Sequence, residues 1–458
     1  MLAIALPEIV MQQLLPVTGL FAWNMPYPLP FTPDHIRQGS AVLQAAAFLI
    51  ALGLLARMEL QGEIRGGLFY TLCGIGLVGV VAATVASMAG SGDIYYYIAY
   101  GRELGVLHLT PYNPLINIRS DPVIREIPTL WIRNSSLYGP TAVLWYAFLN
   151  LITKPTLYVL VPVFKAAWLG LFLLFSVLLY RLLKTHYSYP YTRWFALCAN
   201  PVTWLFCVRD AHVEMLMALL ILFCLMAAIR RKWLLCGLVL ALLCTTKIVM
   251  LIVVPFFALH VLRDSSPGQD WPQRRKSLVH FLAGFGGYFI AVHIIFNGGG
   301  LPWVLYFGSV HITTLMVIPW MIQAFSEAMG IHPLAADPFS ITRVGSAIVF
   351  LLGFSVMFIQ ACRARTPMNP AILSGMAMIF FISTLSYQWP WYSVWGIVFL
   401  IIAAPTLQAL LLLTVFYTLY GTLNMEAVCP IIMVLALTVS AWLSWWKQVP
   451  HQHLSYRG

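Results

Sequence analysis

The chain alternates apolar runs of helix-spanning length with short polar breaks from one end to the other. A bilayer core about 30 Å thick needs roughly 20 apolar residues per helical crossing. On that criterion spans are expected at 4–22, 40–57, 66–90, 156–181, 192–208, 212–229, 278–296, 343–361, 370–386, 391–405, 407–423 and 427–446. Two long segments interrupt the pattern, 91–155 and 297–342. The first mixes Tyr, Trp, Pro and Arg and is too long and too varied for a linker. Its end, Tyr138 to Leu151, reads as a helix lying near a membrane interface. Low-complexity tracts and internal repeats are absent. The expected fold is a single all-α domain over 1–458, a polytopic transmembrane helical bundle with interfacial helices in its long first outer loop.

The stretch 233–262 is about 30 apolar residues, long for one span and short for two. Cations flank it on both sides: Arg230, Arg231 and Lys232 before it, then Arg263, Arg274, Arg275 and Lys276 after it. A single crossing would put these clusters on opposite faces, whereas cations collect on the cytoplasmic side. A broken hairpin of two short helices resolves the conflict, turning near Thr245, Thr246 and Lys247, with Pro255 in the return limb. Irregular backbone at that depth is tolerated where it lines a cavity. With the hairpin the expected count is about 12–14 spans. Inside loops then hold Arg57, Arg65, Arg181, Lys184, Arg193, both clusters, Arg363, Arg365 and Lys447. The opposite face collects Asp93, the 91–155 loop, Arg209 to Glu214, Lys247 and the second outer loop, 297–342.

Composition narrows the class. Hydrophobic residues make up 61% and charged residues 9% of the chain, and the mean hydropathy is +0.84. Soluble domains are about 25% charged, so no separate soluble domain is expected. The net charge of +11 sits in short loops, where topology and lipid phosphates explain it better than nucleic acid. The first cation is Arg37, so no cleaved leader is expected. The eight cysteines include no CxxC pair and nearly all lie in apolar runs, as buried thiols do.

Four constellations carry candidate chemistry. Asp93 stands just past an apolar run, followed by Tyr95, Tyr96, Tyr97, Tyr100 and Arg102. A carboxylate where a membrane helix ends is costly if buried, and an aromatic belt alone does not call for one. It is a candidate base, while Arg102, Arg119, Arg125 and Arg133 offer forks that match phosphate. For each arginine, a solvated pair with Glu103, Asp121 or Glu126 is the plainer expectation. The second constellation is the turn Arg209-Asp210-Ala211-His212-Val213-Glu214. There His212 and Glu214 are placed to orient an acceptor or share a proton, with too few further ligands for a metal site. An Arg209–Asp210 pair is the alternative for those two residues. The third is Lys247, within an apolar run, which must snorkel, meet an anion such as a lipid phosphate, or pair with a buried carboxylate such as Glu214. The fourth is Gln388-Trp389-Pro390-Trp391-Tyr392, a sugar or headgroup platform or an aromatic belt.

In this order the four pieces resemble the GT-C superfamily of polyprenyl-phosphate-sugar-dependent glycosyltransferases, in its mannosyltransferase-type branch. DIYYYIAYGR from Asp93 is similar to that branch's Asp-x-x-Tyr-x-x-Tyr-Gly-Arg stretch, and Pro111-Tyr112-Asn113-Pro114 is a shuffled form of its Asn-Pro-Tyr. Tyr138-Gly139-Pro140, Asn200-Pro201, His212-Val213-Glu214, Lys247 and Pro390-Trp391-Tyr392 answer its later motifs, over about residues 66 to 405. The resemblance implies an inverting transfer of a sugar, mannose above all, from a polyprenyl-phosphate donor to a glycan, lipid or protein acceptor. It implies Asp93 as base, and Tyr97, Arg102, His212, Glu214, Lys247, Trp391 and Tyr392 as substrate-binding residues. The active site would face away from the cytoplasm across the cell (inner) membrane. No cofactor, metal or nucleic acid is expected, and no nucleotide-binding motif is present, as suits a lipid donor. The rival reading is a transporter or lipid flippase. It calls for related halves and ionisable groups at the midplane, whereas most charges here sit at one edge.

Overall fold

The computed structural model describes residues 34–64, 66–85, 92–112, 121–127, 136–263, 270–297, 338–364, 368–385 and 390–423. Among them there is no strand, and the expected all-α architecture is observed. Helices run over Asp34–Leu60 (α1), Gly66–Val85 (α2), Asp93–Gly105 (α3), Pro122–Glu126 (α4), Pro140–Leu151 (α5), Leu157–His186 (α6) and Pro190–Cys198 (α7). A π-helical segment, Thr203–Arg209, leads to Glu214–Ile229 (α8) and Trp233–Cys244 (α9). A 3₁₀ segment, Ile248–Val253, runs into Val254–Arg263 (α10), followed by Trp271–Asn297 (α11), Pro338–Arg363 (α12) and Pro370–Thr384 (α13). A 3₁₀ turn, Pro390–Ser393, opens Val394–Ala403 (α14), and Leu407–Leu423 (α15) closes the series. Proline stands in the first turn of α4, α5, α7 and α13, where its missing N–H costs nothing.

Among the described residues four helices are long and apolar enough to cross a membrane, in α1, α6, α11 and α12, and a fifth if the π segment and α8 form one bent span. Six shorter apolar helices surround them. This is the pattern of a multi-pass membrane protein, with fewer full-length helices among the described residues than the 12–14 expected spans. In two of the expected runs the backbone breaks. The expected span 192–208 splits at Asn200-Pro201 into α7 and the π segment, and 391–405 becomes a 3₁₀ turn plus a ten-residue helix. The spans 4–22 and 427–446, and most of 297–342, lie outside the described residues.

The expected hairpin is present. α9 ends at Cys244 and the 3₁₀ segment begins at Ile248, so the break falls on Thr245, Thr246 and Lys247. The Trp233 and His260 rings lie 6.1 Å apart, so the start of α9 and the end of α10 share one end of the fold. The hairpin tip is held by the segment before α5. Gly139 N donates to Thr246 O and Thr141 N to Thr245 O, both at 3.0 Å. The Thr141 hydroxyl joins those of Thr245 (2.7 Å) and Tyr288 (2.9 Å). A Cβ on Gly139 would overlap the Thr245 carbonyl, so this docking requires glycine. The cysteine expectation holds in part: five of the seven described thiols are buried, but Cys73 is half-buried and Cys362 exposed.

At the opposite end of α14, Arg193 is 1% exposed and donates to the Ile401, Ile402 and Ala404 carbonyls at 2.6–3.0 Å and to Ser188 O at 2.7 Å. These are carbonyls that a helix end leaves open. Arg193→Met should lower stability by on the order of 3 kcal/mol, because several buried acceptors lose their donor together. Thermal melting in detergent checks this. Arg193→Lys should rescue little, since one ammonium cannot span the fork's set of acceptors.

Candidate functional site

Three backbone breaks and one helix start converge. The π segment and α8 meet at 105°. π-helical turns carry an extra residue and recur at functional sites. Within the bend Ala211 adopts φ +53°, a left-handed conformation that costs a residue with a Cβ energy and needs support. Support comes from the two residues that follow: Trp168 Nε1 donates to His212 O at 2.6 Å, and Val213 N donates to the Tyr97 hydroxyl at 3.2 Å. At the segment's start, Asn200 accepts from Val202 N and donates to Thr418 Oγ1. The result aims His212 and Glu214 inward.

Asp93 opens α3, where a carboxylate complements the helix N-terminus. Its Oδ2 accepts from the Tyr138 hydroxyl at 3.0 Å and lies 3.3 Å from His212 Nδ1. His212 Nδ1 is also 3.9 Å from Glu214 Oε2, yet neither ring nitrogen completes a hydrogen bond. Glu214 Oε1 accepts from Lys247 Nζ at 2.6 Å and from Trp395 Nε1 at 3.1 Å, while Oε2 is buried without a partner. The Lys247 ammonium lies over the rings of Trp395 (4.6 Å), Tyr392 (4.9 Å) and Tyr138 (5.5 Å). Trp391 stacks on the His212 ring at 4.0 Å, and Tyr392 on Trp395 at 4.3 Å.

Of the four ionisable side chains, His212 and Glu214 are 0% exposed, Lys247 8% and Asp93 24%. Asp93 is thus the most accessible of the four. His212 and Glu214 carry unsatisfied polar atoms behind it, and buried orphans of that kind need an explanation beyond packing.

The structure brings together Asp93, Tyr97, His212, Glu214, Lys247, Trp391 and Tyr392, and leaves Arg102 apart. Arg102 lies nine residues along α3 from Asp93, about 13 Å by helical rise. It is 3% exposed, and its fork holds Asp121 through Nε (3.0 Å) and Nη2 (2.6 Å), the paired alternative for the arginines. Burial pushes the Asp121 carboxyl up, but the Arg102 hydrogen bond, the Ile124 N–H and the Arg102 charge outweigh it and hold it below its ordinary value. Arg209 likewise pairs with Asp210 at 2.9 Å. Arg119 and Arg133, with Gln388 and Trp389, lie outside the described residues.

Of the alternatives for Lys247, the pair with a buried carboxylate is present: burial demands a countercharge, and Glu214 supplies it from the start of α8. Tyr97 offers no open face: it is fully buried, with Tyr146 stacked at 4.5 Å and Trp168 at 5.8 Å. Sequence reasoning quoted Tyr138 within a motif without giving it a role, and it missed Trp395, which donates to Glu214 Oε1.

Residues 62–263, somewhat less than half of the chain, match the family model described as Alpha-(1->6)-mannopyranosyltransferase, N-terminal domain. That segment contains Asp93, Tyr97, Arg102, His212, Glu214 and Lys247; Trp391 and Tyr392 lie beyond it. The matched family is one of glycosyltransferases, which sets the enzyme class, and it supports mannosyl transfer as the function. No curated protein and no solved structure matches the chain.

Proposed function

We propose that this protein is a GT-C-type integral-membrane mannosyltransferase that takes mannose from a polyprenyl-phosphate donor and passes it, with inversion, to a hydroxyl of a glycan, lipid or protein acceptor. The carrying observation is the convergence of Asp93, of His212 and Glu214 from one bend, and of Lys247, from three separate stretches of the chain, beside an aromatic wall. Asp93, the most exposed of the four, takes the acceptor proton. The acceptor oxygen then forms its bond to the anomeric carbon as the anomeric carbon–oxygen bond to phosphate breaks. The electron pair leaves on polyprenyl phosphate. Lys247 stands 2.6 Å from Glu214 and is the cation best placed to meet that charge. His212 and the free oxygen of Glu214 hold acceptor or sugar hydroxyls, and Tyr392, half-buried beside them, adds an apolar ring face. An α-(1→6) product formed by inversion requires a β-linked mannosyl phosphate. Purified protein given either radiolabelled polyprenyl-phosphate mannose or GDP-mannose, with an α-(1→6)-linked mannooligosaccharide, should move label from the lipid donor. Label moving from the nucleotide sugar alone would refute the reading.

The reaction is assigned to the non-cytoplasmic face of the cell membrane, because the cation clusters collect at the other end of the hairpin. Cysteines placed at Arg231 and Arg275 should both be labelled from the cytoplasmic side. Labelling from opposite sides would dismantle this topology.

A further inference from the structure

The Tyr138 hydroxyl donates to Asp93 Oδ2 at 3.0 Å and reaches that carboxylate from 45 residues away. Its backbone is fixed more firmly than a loop tyrosine requires. The Tyr138 carbonyl accepts from the Tyr112 hydroxyl at 3.0 Å and from Ser136 Oγ at 3.1 Å. The next residue, Gly139, is bonded to the hairpin tip beside Lys247. The Tyr138 ring is clamped as well: Tyr97 meets it edge-on at 5.0 Å, Tyr146 edge-on at 6.1 Å, and the Lys247 ammonium faces it at 5.5 Å. A phenol held on every side has a defined hydroxyl direction, and it points at Asp93 Oδ2.

Resting on the reading of Asp93 as the base, we propose that Tyr138 is a positioning residue for that base: its hydroxyl holds one carboxylate oxygen so that the other faces the acceptor. Because Tyr138 is bonded through Gly139 to the hairpin that carries Lys247, it also fixes the distance between the base and the cation that meets the leaving phosphate. In an in-line displacement those two groups act on opposite sides of the anomeric carbon, so their separation must be set to within a fraction of an ångström. Burial, then the neighbouring Asp93 charge, pushes the Tyr138 phenol well above its ordinary value. It therefore stays protonated, and remains a donor, throughout the working pH range.

Tyr138→Phe separates positioning from packing, since it keeps the ring over Lys247 and against Tyr97 and removes only the hydroxyl. Transfer from polyprenyl-phosphate mannose is measured with Asp93→Asn in parallel. The expected result is a 10- to 100-fold fall in kcat, with the donor KM and the melting temperature near wild type. Tyr112→Phe, which removes a donor to the Tyr138 carbonyl and leaves the phenol, should show a smaller fall with the same split. If Tyr138→Phe loses its fold, this second variant decides the matter. Wild-type kcat in the folded variants beside an inactive Asp93→Asn overturns the role of Tyr138 alone. An active Asp93→Asn overturns the base assignment and this inference with it. A fall in kcat matched by a rise in KM or a drop in melting temperature shows Tyr138 to be structural.

Discussion

Asp93→Asn should reduce mannosyl transfer by two or more orders of magnitude, about the range that losing a general base produces. The amide keeps the shape of the carboxylate and can still accept from the Tyr138 hydroxyl, so the fold should be unaffected. Donor binding should also change little, because the cation assigned to the phosphate, Lys247, sits on a different element. Measuring kcat and donor affinity on the same preparation isolates the chemical step. Near-normal turnover would remove Asp93 from its role. Glu214 would not then be a simple substitute, since one of its oxygens already holds Lys247 and Trp395.

Lys247→Met should destabilise the protein by about 3–5 kcal/mol, the cost of stranding one member of a buried ion pair. For a lysine without a partner, removing the charge would relieve burial and leave the fold unharmed or improved. The 2.6 Å bond to Glu214 reverses that expectation: methionine leaves a buried carboxylate with only Trp395 Nε1 as donor. Lys247→Met/Glu214→Gln removes both charges and should recover much of the melting temperature without recovering donor binding. If the single variant melts like the wild type, the pair carries little weight. If the stable double variant binds donor normally, Lys247 has no phosphate to meet.

Apolar length along the chain located most helices within a few residues, because a membrane-facing segment must satisfy its backbone internally and is long by necessity. The expected spans 156–181, 212–229 and 407–423 correspond to α6, α8 and α15. The hairpin break was legible for a second reason, the two cation clusters that no single crossing can reconcile. The break at Asn200-Pro201 was not, since an Asn-Pro pair inside apolar sequence is also compatible with a kinked span. In the site, Asp93, His212, Glu214 and Lys247 stood out because ionisable groups are rare here. Their partners did not. Tyr138 falls within a quoted motif that says nothing of a bond to Asp93, and Trp395 sits inside a span where tryptophan is ordinary. Their roles come from contacts across 45 and 181 positions, which no local pattern encodes. Arg102 shows the converse: its motif placed it beside Asp93 in sequence, while the helix carries it away to Asp121.

The most direct test of the central claim follows the anomeric carbon itself. Purified protein is mixed with polyprenyl-phosphate β-mannose labelled with ¹³C at the anomeric carbon and an α-(1→6)-linked mannooligosaccharide, and the product is examined by NMR. The expected product is a single α-configured, 6-linked mannosyl product, released together with polyprenyl phosphate and absent with Asp93→Asn. A β-configured product, or the same α product from the Asp93→Asn protein, would contradict inverting transfer driven by this carboxylate.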